Sequence, residues 1–312
     1  MFSFFKKKPV LLEVPDWAPF FTREEYTAFV GAIGKYFKGK NLSYEVHDGV
    51  VELGPNEFEF GKLGLGNLSQ VCKQSRNLSE YPEIVAQHFD SLIQGQVFNI
   101  EFQKLVNDYA KVKQYLGVRM YPMDYIDHIG MKGVMGKPFA GDIYAMLVFD
   151  LPHSVQNVQP EQAAKWGKSF EELFETGLQN IKRNCPVSLK QLNLGEFDIW
   201  FAEGVHFFVP NIAFDLPLRP DLVGKYGALV GLPHRHAAII YPIETLDVIK
   251  AVNTLIPIVK GMNEEGPGSL SDNIFFFQNG EFEALPYKIT EEKLQFFPTD
   301  NFITLLNSLA ES

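Results

Sequence analysis

The segment Asn273–Leu285, NIFFFQNGEFEAL, decides the fold class because it predicts two short strands joined by a tight turn. Asn279-Gly280 favours the positive φ angles of a two-residue hairpin turn and lies between two apolar runs. Asp48-Gly49 repeats this pattern near the other end of the chain. The two hairpins indicate antiparallel sheet in both halves of the protein.

Helices are predicted by capping residues that precede apolar faces. Thr22 and Glu25 have the spacing of a capping box, and Ser169 and Glu172 repeat it. Apolar residues then recur every three or four positions, as they do on the buried face of a helix. Helices are therefore expected beside the predicted sheets.

The N-terminal part of the chain predicts the element order α-β-β-β-α. Its third strand is expected around Phe58–Phe60, and its last helix over Ser79–Leu92 with Gly95 beyond it. A further helix is predicted over Phe98–Leu116, ended by Gly117 and bridging to the next part of the chain. The domains are therefore predicted as residues 1–117 and 118–312.

The second predicted domain contains sheet and helices in mixed order. Gly130–Gly141 is expected to be a loop, and a helix from Thr245 is expected to be perturbed at Pro257. Strands are predicted over Ile143–Phe149, Phe197–Phe201, Ala228–Leu232 and Ala237–Tyr241, and a closing helix over Asp300–Leu309. The predicted fold class is α+β, with two packed units of mixed or antiparallel sheet and helices.

Composition restricts the classes of function. The 312 residues carry a net charge of −10, and no cluster of Lys and Arg provides the basic face that nucleic acid requires. Cys72 and Cys185 are the only cysteines, which favours a reducing, cytoplasmic location. No apolar run is long enough to span a membrane. Phe2–Lys8 leaves contact with an anionic membrane surface as a separate possibility.

Several motifs resemble known sites but lack a required residue. Gly64 and Gly66 start a dinucleotide fingerprint, but Ser69 stands where its third glycine belongs. A phosphate loop ending at Lys137 has the wrong spacing, and Pro138 replaces the hydroxyl that would contact magnesium. No serine-nucleophile motif or activated cysteine is present, so no cofactor or catalytic residue is predicted.

The segment His234-Arg235-His236 contains the strongest candidates for a binding site. Two histidines separated by one residue on a strand point to the same face and can share a ligand. Three interpretations stay open: a structural role, contact with a carboxylate, phosphate or partner, and metal binding, although Arg235 disfavours a cation. Arg119 and Tyr121, on a predicted strand, complete the set of ligand-binding candidates.

The chain resembles the bacterial YtpQ-like family of unassigned function. The resemblance rests on Val118–Pro122, on the strand ending at Phe149-Asp150, on Leu232–His234 and, most clearly, on Gly268–Leu285. It implies a shared fold and provides no site residues. Where Arg235 and His236 stand, the family has a polar or acidic residue, so the His-Arg-His segment is a departure from the family pattern.

The first hypothesis is a cytoplasmic binding or protein-interaction module without catalysis, whose ligand or protein partner is unknown. The alternative is a hydrolase-type enzyme that uses His234, Arg235 and His236 in a cleft between the domains.

Overall fold

The computed structural model describes residues 11–75, 77–290 and 293–311. The chain divides into two compact units, Met1–Lys104 and Leu105–Ser312. The boundary therefore lies earlier than the predicted one at Gly117. Helices and antiparallel sheets occur in both units, so the predicted α+β class is confirmed. The predicted membrane-contacting segment Phe2–Lys8 lies outside the described residues.

The first unit begins with helix α1, Arg23–Gly39, whose start is fixed by the predicted capping box. The Thr22 hydroxyl accepts from the backbone N–H of Glu25 at 3.2 Å, and the Glu25 carboxylate accepts from that of Thr22 at 2.7 Å. These two bonds satisfy N–H groups that have no acceptor within the helix.

Three antiparallel strands follow, and the predicted Asp48-Gly49 turn joins the first two with φ angles of 44° and 75°. The prediction of a strand at Phe58–Phe60 is wrong. The Asn56 side chain accepts from the backbone N–H groups of Phe58 and Phe60 at 3.1 and 3.3 Å, which holds them in a turn. The strands are β1 (Tyr44–His47), β2 (Val50–Leu53) and β3 (Lys62–Gly64).

Two helices complete the first unit: α2, Gly66–Gln74, and α3, Tyr81–Leu105. The predicted order α-β-β-β-α is therefore present, with α2 added before the last helix. Two predicted boundaries are wrong, because α3 continues through Gly95 and no helix extends to Leu116. One glycine costs a helix interior only about 0.5–1 kcal/mol, which packing of the flanking turns can offset. The core of this unit includes Phe29, Ile33, Phe37, Leu68, Tyr81, Val85 and Phe89.

One of the antiparallel sheets of the second unit is built around a long central strand. Its strands are β4 (Leu116–Pro122), β5 (Gly136–Ala140), β6 (Ile143–Leu151) and β7 (Ser154–Asn157), and β6 pairs with the other three. The predicted loop Gly130–Gly141 thus contains a strand. Gly136 permits this pairing, since a Cβ at this position would lie 2.4 Å from the Ala145 carbonyl oxygen of β6.

A six-stranded antiparallel sheet forms the larger part of the second unit. In chain order its strands are β8 (Ser188–Asn193), β9 (Asp198–Glu203), β10 (Ala228–His234), β11 (Ala237–Pro242), β12 (Ile274–Gln278) and β13 (Glu281–Leu285), and their spatial order is β13-β12-β10-β11-β9-β8. The predicted Asn279-Gly280 turn joins β12 to β13 with φ angles of 52° and 86°. A separate pair, β14 (Tyr287–Ile289) and β15 (Leu294–Phe296), follows.

Helices and loops cover both faces of this sheet. Leu229 of β10 packs against helix residues on one face, whereas Val230 packs against Val209 and Ile212 on the other. The helices of the second unit are α4 (Tyr109–Val112), α5 (Met123–Ile129), α6 (Pro160–Ala163), α7 (Phe170–Asn184), α8 (Ile212–Asp215), α9 (Val248–Glu265) and α10 (Asp300–Ala310). Helix α9 begins after the predicted Thr245 and is not interrupted at Pro257.

Helix α7 crosses strand β4 where two glycines meet. A Cβ on Gly177 would lie 2.9 Å from the Gly117 carbonyl carbon. Three residues along the helix, the Asn180 side chain donates to the carbonyl oxygens of Lys113 and Leu116 at 2.7 and 2.9 Å. This contact fixes the position of β4, which carries two of the predicted site residues. Among the described helices, none is both long and apolar enough to cross a membrane.

Candidate functional site

The five predicted ligand-binding residues all lie in the second unit, on strands of two of its sheets and on the turn that follows one of these strands. Strand β4 carries Arg119 and Tyr121, which share one face because they are two positions apart. Strand β10 ends at His234, and Arg235 and His236 form the turn into β11. Residues from two different sheets therefore supply the candidate site.

Phe207, in the segment after β9, connects these residues. The Arg235 guanidinium carbon lies 4.5 Å from the centre of the Phe207 ring, and that of Arg119 lies 5.3 Å from it. The ring of His236 meets Phe207 edge-on at 5.4 Å, and Arg119 also lies 4.6 Å from the Tyr121 ring. We call Arg119, Tyr121, Phe207, His234, Arg235 and His236 the arginine cluster.

Hydrogen bonds fix the protonation of both histidines. The Nε2 of His236 accepts from the Arg235 Nε–H at 3.1 Å, so its Nδ1 carries the proton and donates to the Gly204 carbonyl at 3.1 Å. The Nδ1 of His234 accepts from the backbone N–H of His236 at 3.2 Å, which leaves the His234 proton on Nε2. Neither neutral ring therefore has a lone pair free for a metal or a proton.

The Gly266–Ser269 loop packs beneath the His-Arg-His turn. The backbone N–H of Arg235 donates to the Gly268 carbonyl at 3.1 Å, and a Cβ on Gly268 would lie 2.7 Å from the Arg235 Cδ. A Cβ on Gly266 would lie 2.2 Å from a carbon of the His234 ring. The two glycines thus leave room for these side chains.

The arginine cluster lacks a compensating negative charge. Within the described part of the chain, no carboxylate lies within 4.0 Å of either guanidinium, and the buried Arg119 Nε has no hydrogen-bond partner. Burial lowers the pKa of Arg235, and the charge of Arg119 lowers it further, yet an arginine stays protonated at neutral pH. Two positive charges therefore lie against the same phenylalanine ring.

His234 and Tyr121 are uncharged at neutral pH. Burial lowers the pKa of His234, and the neighbouring His236 and Arg235 act in the same direction. Burial raises the pKa of the Tyr121 phenol, which is 9% exposed, and the two arginines offset part of that rise. The phenol therefore cannot supply a counter-charge to the arginines.

Most of these residues have a sequence signal, but Phe207 does not. His234 and His236 stand out by their spacing, whereas Phe207 is one of 28 phenylalanines and contacts the cluster only through the fold. Tyr125, which stacks on Tyr121 at 4.8 Å, has no such signal either. The Gly266–Ser269 loop has a signal of its own in its turn residues, because such loops often line sites.

Other titratable side chains lie away from the arginine cluster. His88 is on helix α3 of the first unit, where burial lowers its pKa. Glu172 is exposed and pairs with Lys168 at 2.5 Å, as expected for a solvated helix face. Among the described residues, no three His, Cys, Asp or Glu side chains gather as metal ligands would.

Compared with protein-family models, with curated proteins and with solved structures, the chain matches none of them.

Proposed function

We propose that the second unit is a binding module that recognises an anionic group, a phosphate or a carboxylate, at the arginine cluster. The observation that carries the proposal is the pair Arg119 and Arg235, which lie against one phenylalanine ring with no described carboxylate within ion-pair distance. Unpaired charges that are partly withdrawn from water are costly unless a ligand pairs with them. An anion would supply that partner.

The geometry of the donors suits an anion. Guanidinium groups bind phosphate and carboxylate oxygens through two parallel hydrogen bonds, and the His234 Nε2–H adds a neutral donor. Phe207 and Tyr121 hold the guanidinium planes by cation–π contact, which reduces the entropy lost when a ligand binds. The ligand is a small anion or an acidic segment of a protein partner.

A hydrolase that uses His234 and His236 is less well supported. A general base needs a free lone pair near its substrate, and hydrogen bonds within the turn occupy the lone pairs of both neutral rings. We therefore favour binding over catalysis for this cluster.

The family, the cellular location and the exclusion of nucleic acid are proposed from the sequence. We propose kinship with the YtpQ-like family on the residues that carry the resemblance, and a cytoplasmic location on the unpaired cysteines Cys72 and Cys185. The acidic net charge of −10 disfavours nucleic acid as a ligand.

The proposal is tested by measuring thermal unfolding of the full chain in phosphate and in citrate, at constant ionic strength. A ligand at about 100 times its Kd stabilises a protein by about 2.7 kcal/mol. Arg235→Met and Arg119→Met should each weaken this binding about tenfold or more, because charge-assisted hydrogen bonds contribute about 1.5–3 kcal/mol. Arg183→Met is the control: it removes an exposed charge of the same unit, whose guanidinium donates to the side chains of Asn184 and Asn180.

A second readout separates binding from folding. Without ligand, Arg235→Met should keep or raise the free energy of unfolding, since it removes like-charge repulsion and keeps an unbranched side chain beside Phe207. The proposal fails if neither anion stabilises the protein, or if Arg183→Met weakens binding as much as Arg235→Met does. It also fails if both cluster variants bind normally.

A further inference from the structure

The side chains of Arg235 and His236 are joined by a hydrogen bond within the arginine cluster. The Arg235 Nε–H donates to the His236 Nε2 at 3.1 Å, and both side chains are partly buried. A guanidinium binds an anion through two N–H groups on one of its edges, and the Nε–H belongs to such an edge. An anion that binds this edge of Arg235 therefore competes with His236 for the Nε–H.

The His236 ring has no other hydrogen to offer an anion at this position. Its Nδ1–H donates to the Gly204 carbonyl at 3.1 Å, so the neutral ring has only a lone pair on Nε2. A lone pair and an anionic oxygen repel each other, whereas the Nε2–H of an imidazolium donates a charge-assisted hydrogen bond. The bond to Gly204 is kept in both states, so protonation of Nε2 requires only that the bond from Arg235 opens.

His234 does not need a further proton to donate. Its Nδ1 accepts from the backbone N–H of His236 at 3.2 Å, so its Nε2 carries a hydrogen while the ring is neutral. Burial lowers the pKa of His234, and His236 and Arg235 act in the same direction. Protonation of His234 would also break its bond to the backbone. His236 is therefore the histidine whose protonation an anion favours.

The charges near His236 oppose a positive ring until an anion is bound. The two guanidiniums of the cluster repel a third positive charge, and Glu203 of β9 and Glu264 of α9 are already paired with Lys190 and Lys260. A bound dianion offsets both guanidinium charges. The titratable and charged groups of the cluster and of the segments beside it are Arg119, Tyr121, Glu203, His206, His234 and Arg235.

We infer that the arginine cluster binds its anion together with one proton, which is held on the His236 Nε2. The inference rests on the anion site proposed above. The bond from Arg235 to His236 opens, the anion accepts from the Arg235 Nε–H, and Nε2 takes a proton from solution and donates to the same anion. Because the bound state holds one proton more than the free state, affinity for the anion rises as the pH falls.

Sulfate is the probe, because it keeps the same charge over the whole range in which histidine titrates. Calorimetric titration of the full chain with sulfate, in two buffers of different ionisation enthalpy, counts the protons taken up per bound anion. We expect about half a proton or more at about pH 7.5, and an affinity about tenfold lower at about pH 8.5 than at about pH 6.5.

His236→Gln separates proton uptake from the position of Arg235. The glutamine oxygen can accept from the Arg235 Nε–H, but the amide does not titrate, so this variant should bind sulfate without proton uptake and almost independently of pH. His234→Asn keeps an acceptor for the backbone N–H of His236 and should keep the proton uptake, although it loses a donor. His47→Gln changes an exposed histidine of the first unit and is the control that should alter neither quantity.

Sulfate binding by the wild-type chain without proton uptake would overturn the inference and leave the anion site intact. Uptake that persists in His236→Gln would also overturn it. Binding of phosphate but not of sulfate is a third contrary result, because the Nε2 would then keep its lone pair and accept from the phosphate hydroxyl. If neither anion binds, the proposed function itself fails. The wild-type proton count decides the matter even if a variant does not fold.

Discussion

At the scale of single residues, the arginine cluster depends on a position without a side chain. Gly268 has a φ angle of 71° and lies directly beneath the Arg235 side chain. An L-residue at such an angle costs about 1–2 kcal/mol whatever surrounds it. At Gly268 the added methyl would also meet Arg235, so both conformation and contact require glycine.

Gly268→Ala should therefore lower the stability of the protein by about 1–2 kcal/mol and also weaken anion binding, because Arg235 must move. Gly167→Ala is the matched control: its φ angle is 61°, but no atom lies within 4 Å of the added methyl. Urea unfolding should show a loss of about 1–2 kcal/mol for Gly167→Ala and a loss at least as large for Gly268→Ala, and the phosphate-dependent shift in melting temperature should fall only in Gly268→Ala. Equal anion binding by both variants would contradict the proposed role of Arg235.

The sequence allowed some of this site to be predicted. Two histidines with strand spacing, and an arginine and a tyrosine on another strand, were recognised by residue type and period. Their convergence through Phe207 was not predictable, since Arg119 and Arg235 are far apart in the chain and meet only when two sheets pack. Local spacing contains no information about such a contact.

At the scale of elements, glycines have opposite roles that sequence alone does not distinguish. Gly39 is the last residue of helix α1, but Gly95 lies inside α3. Gly177, inside α7, permits the close approach of strand β4, whereas Gly261, inside α9, has no atom near its missing methyl group. The surroundings, rather than the residue type, decide whether a helical glycine is needed.

Gly177→Ala should destabilise the protein by about 1–3 kcal/mol, because the methyl would lie 2.9 Å from backbone that cannot move independently. Gly261→Ala should instead stabilise it by about 0.4–1 kcal/mol, since alanine restricts the unfolded chain and meets no atom in the folded one. Urea unfolding of the two variants tests this pair. A stabilising Gly177→Ala would show that the helix and strand are packed less closely than described.

The hairpins and capped helices were the most predictable elements. Asp48-Gly49 and Asn279-Gly280 form turns through their own backbone preferences, and Thr22 caps its helix through residues three positions away. The strand predicted at Phe58–Phe60 failed because Asn56 competes for the same backbone groups. Strand β5 was predicted as a loop because its segment is rich in glycine. In the structure, Gly136 instead permits close pairing of β5 with β6.

At the scale of the whole molecule, each unit has its own hydrophobic core. The core of the first unit draws on residues between Ala18 and Phe89, and the two clusters around the six-stranded sheet draw only on residues beyond Lys104. The α+β class was predictable from the mixture of helical and strand periods. The boundary was predicted at Gly117 because a helix was expected up to Leu116, whereas helix α3 ends at Leu105, where the two units divide.

The fragment 105–312 should therefore fold alone and keep its phosphate-dependent stabilisation. It contains the entire arginine cluster, both sheets that supply it and the helices that cover the larger one. Circular dichroism and thermal unfolding of the purified fragment, compared with the full chain, test this expectation. A fragment that folds but no longer responds to phosphate would show that the first unit contributes to the site.

The unpaired guanidiniums of Arg119 and Arg235 also have a kinetic consequence. They form a small positive region on a protein whose net charge is −10, so an anion is repelled at long range and attracted only close to the site. Dissolved salt screens the long-range repulsion more than the short, partly buried contact. Moderate ionic strength should therefore raise the association rate constant of an anion. Its dissociation rate constant should rise only gradually with salt.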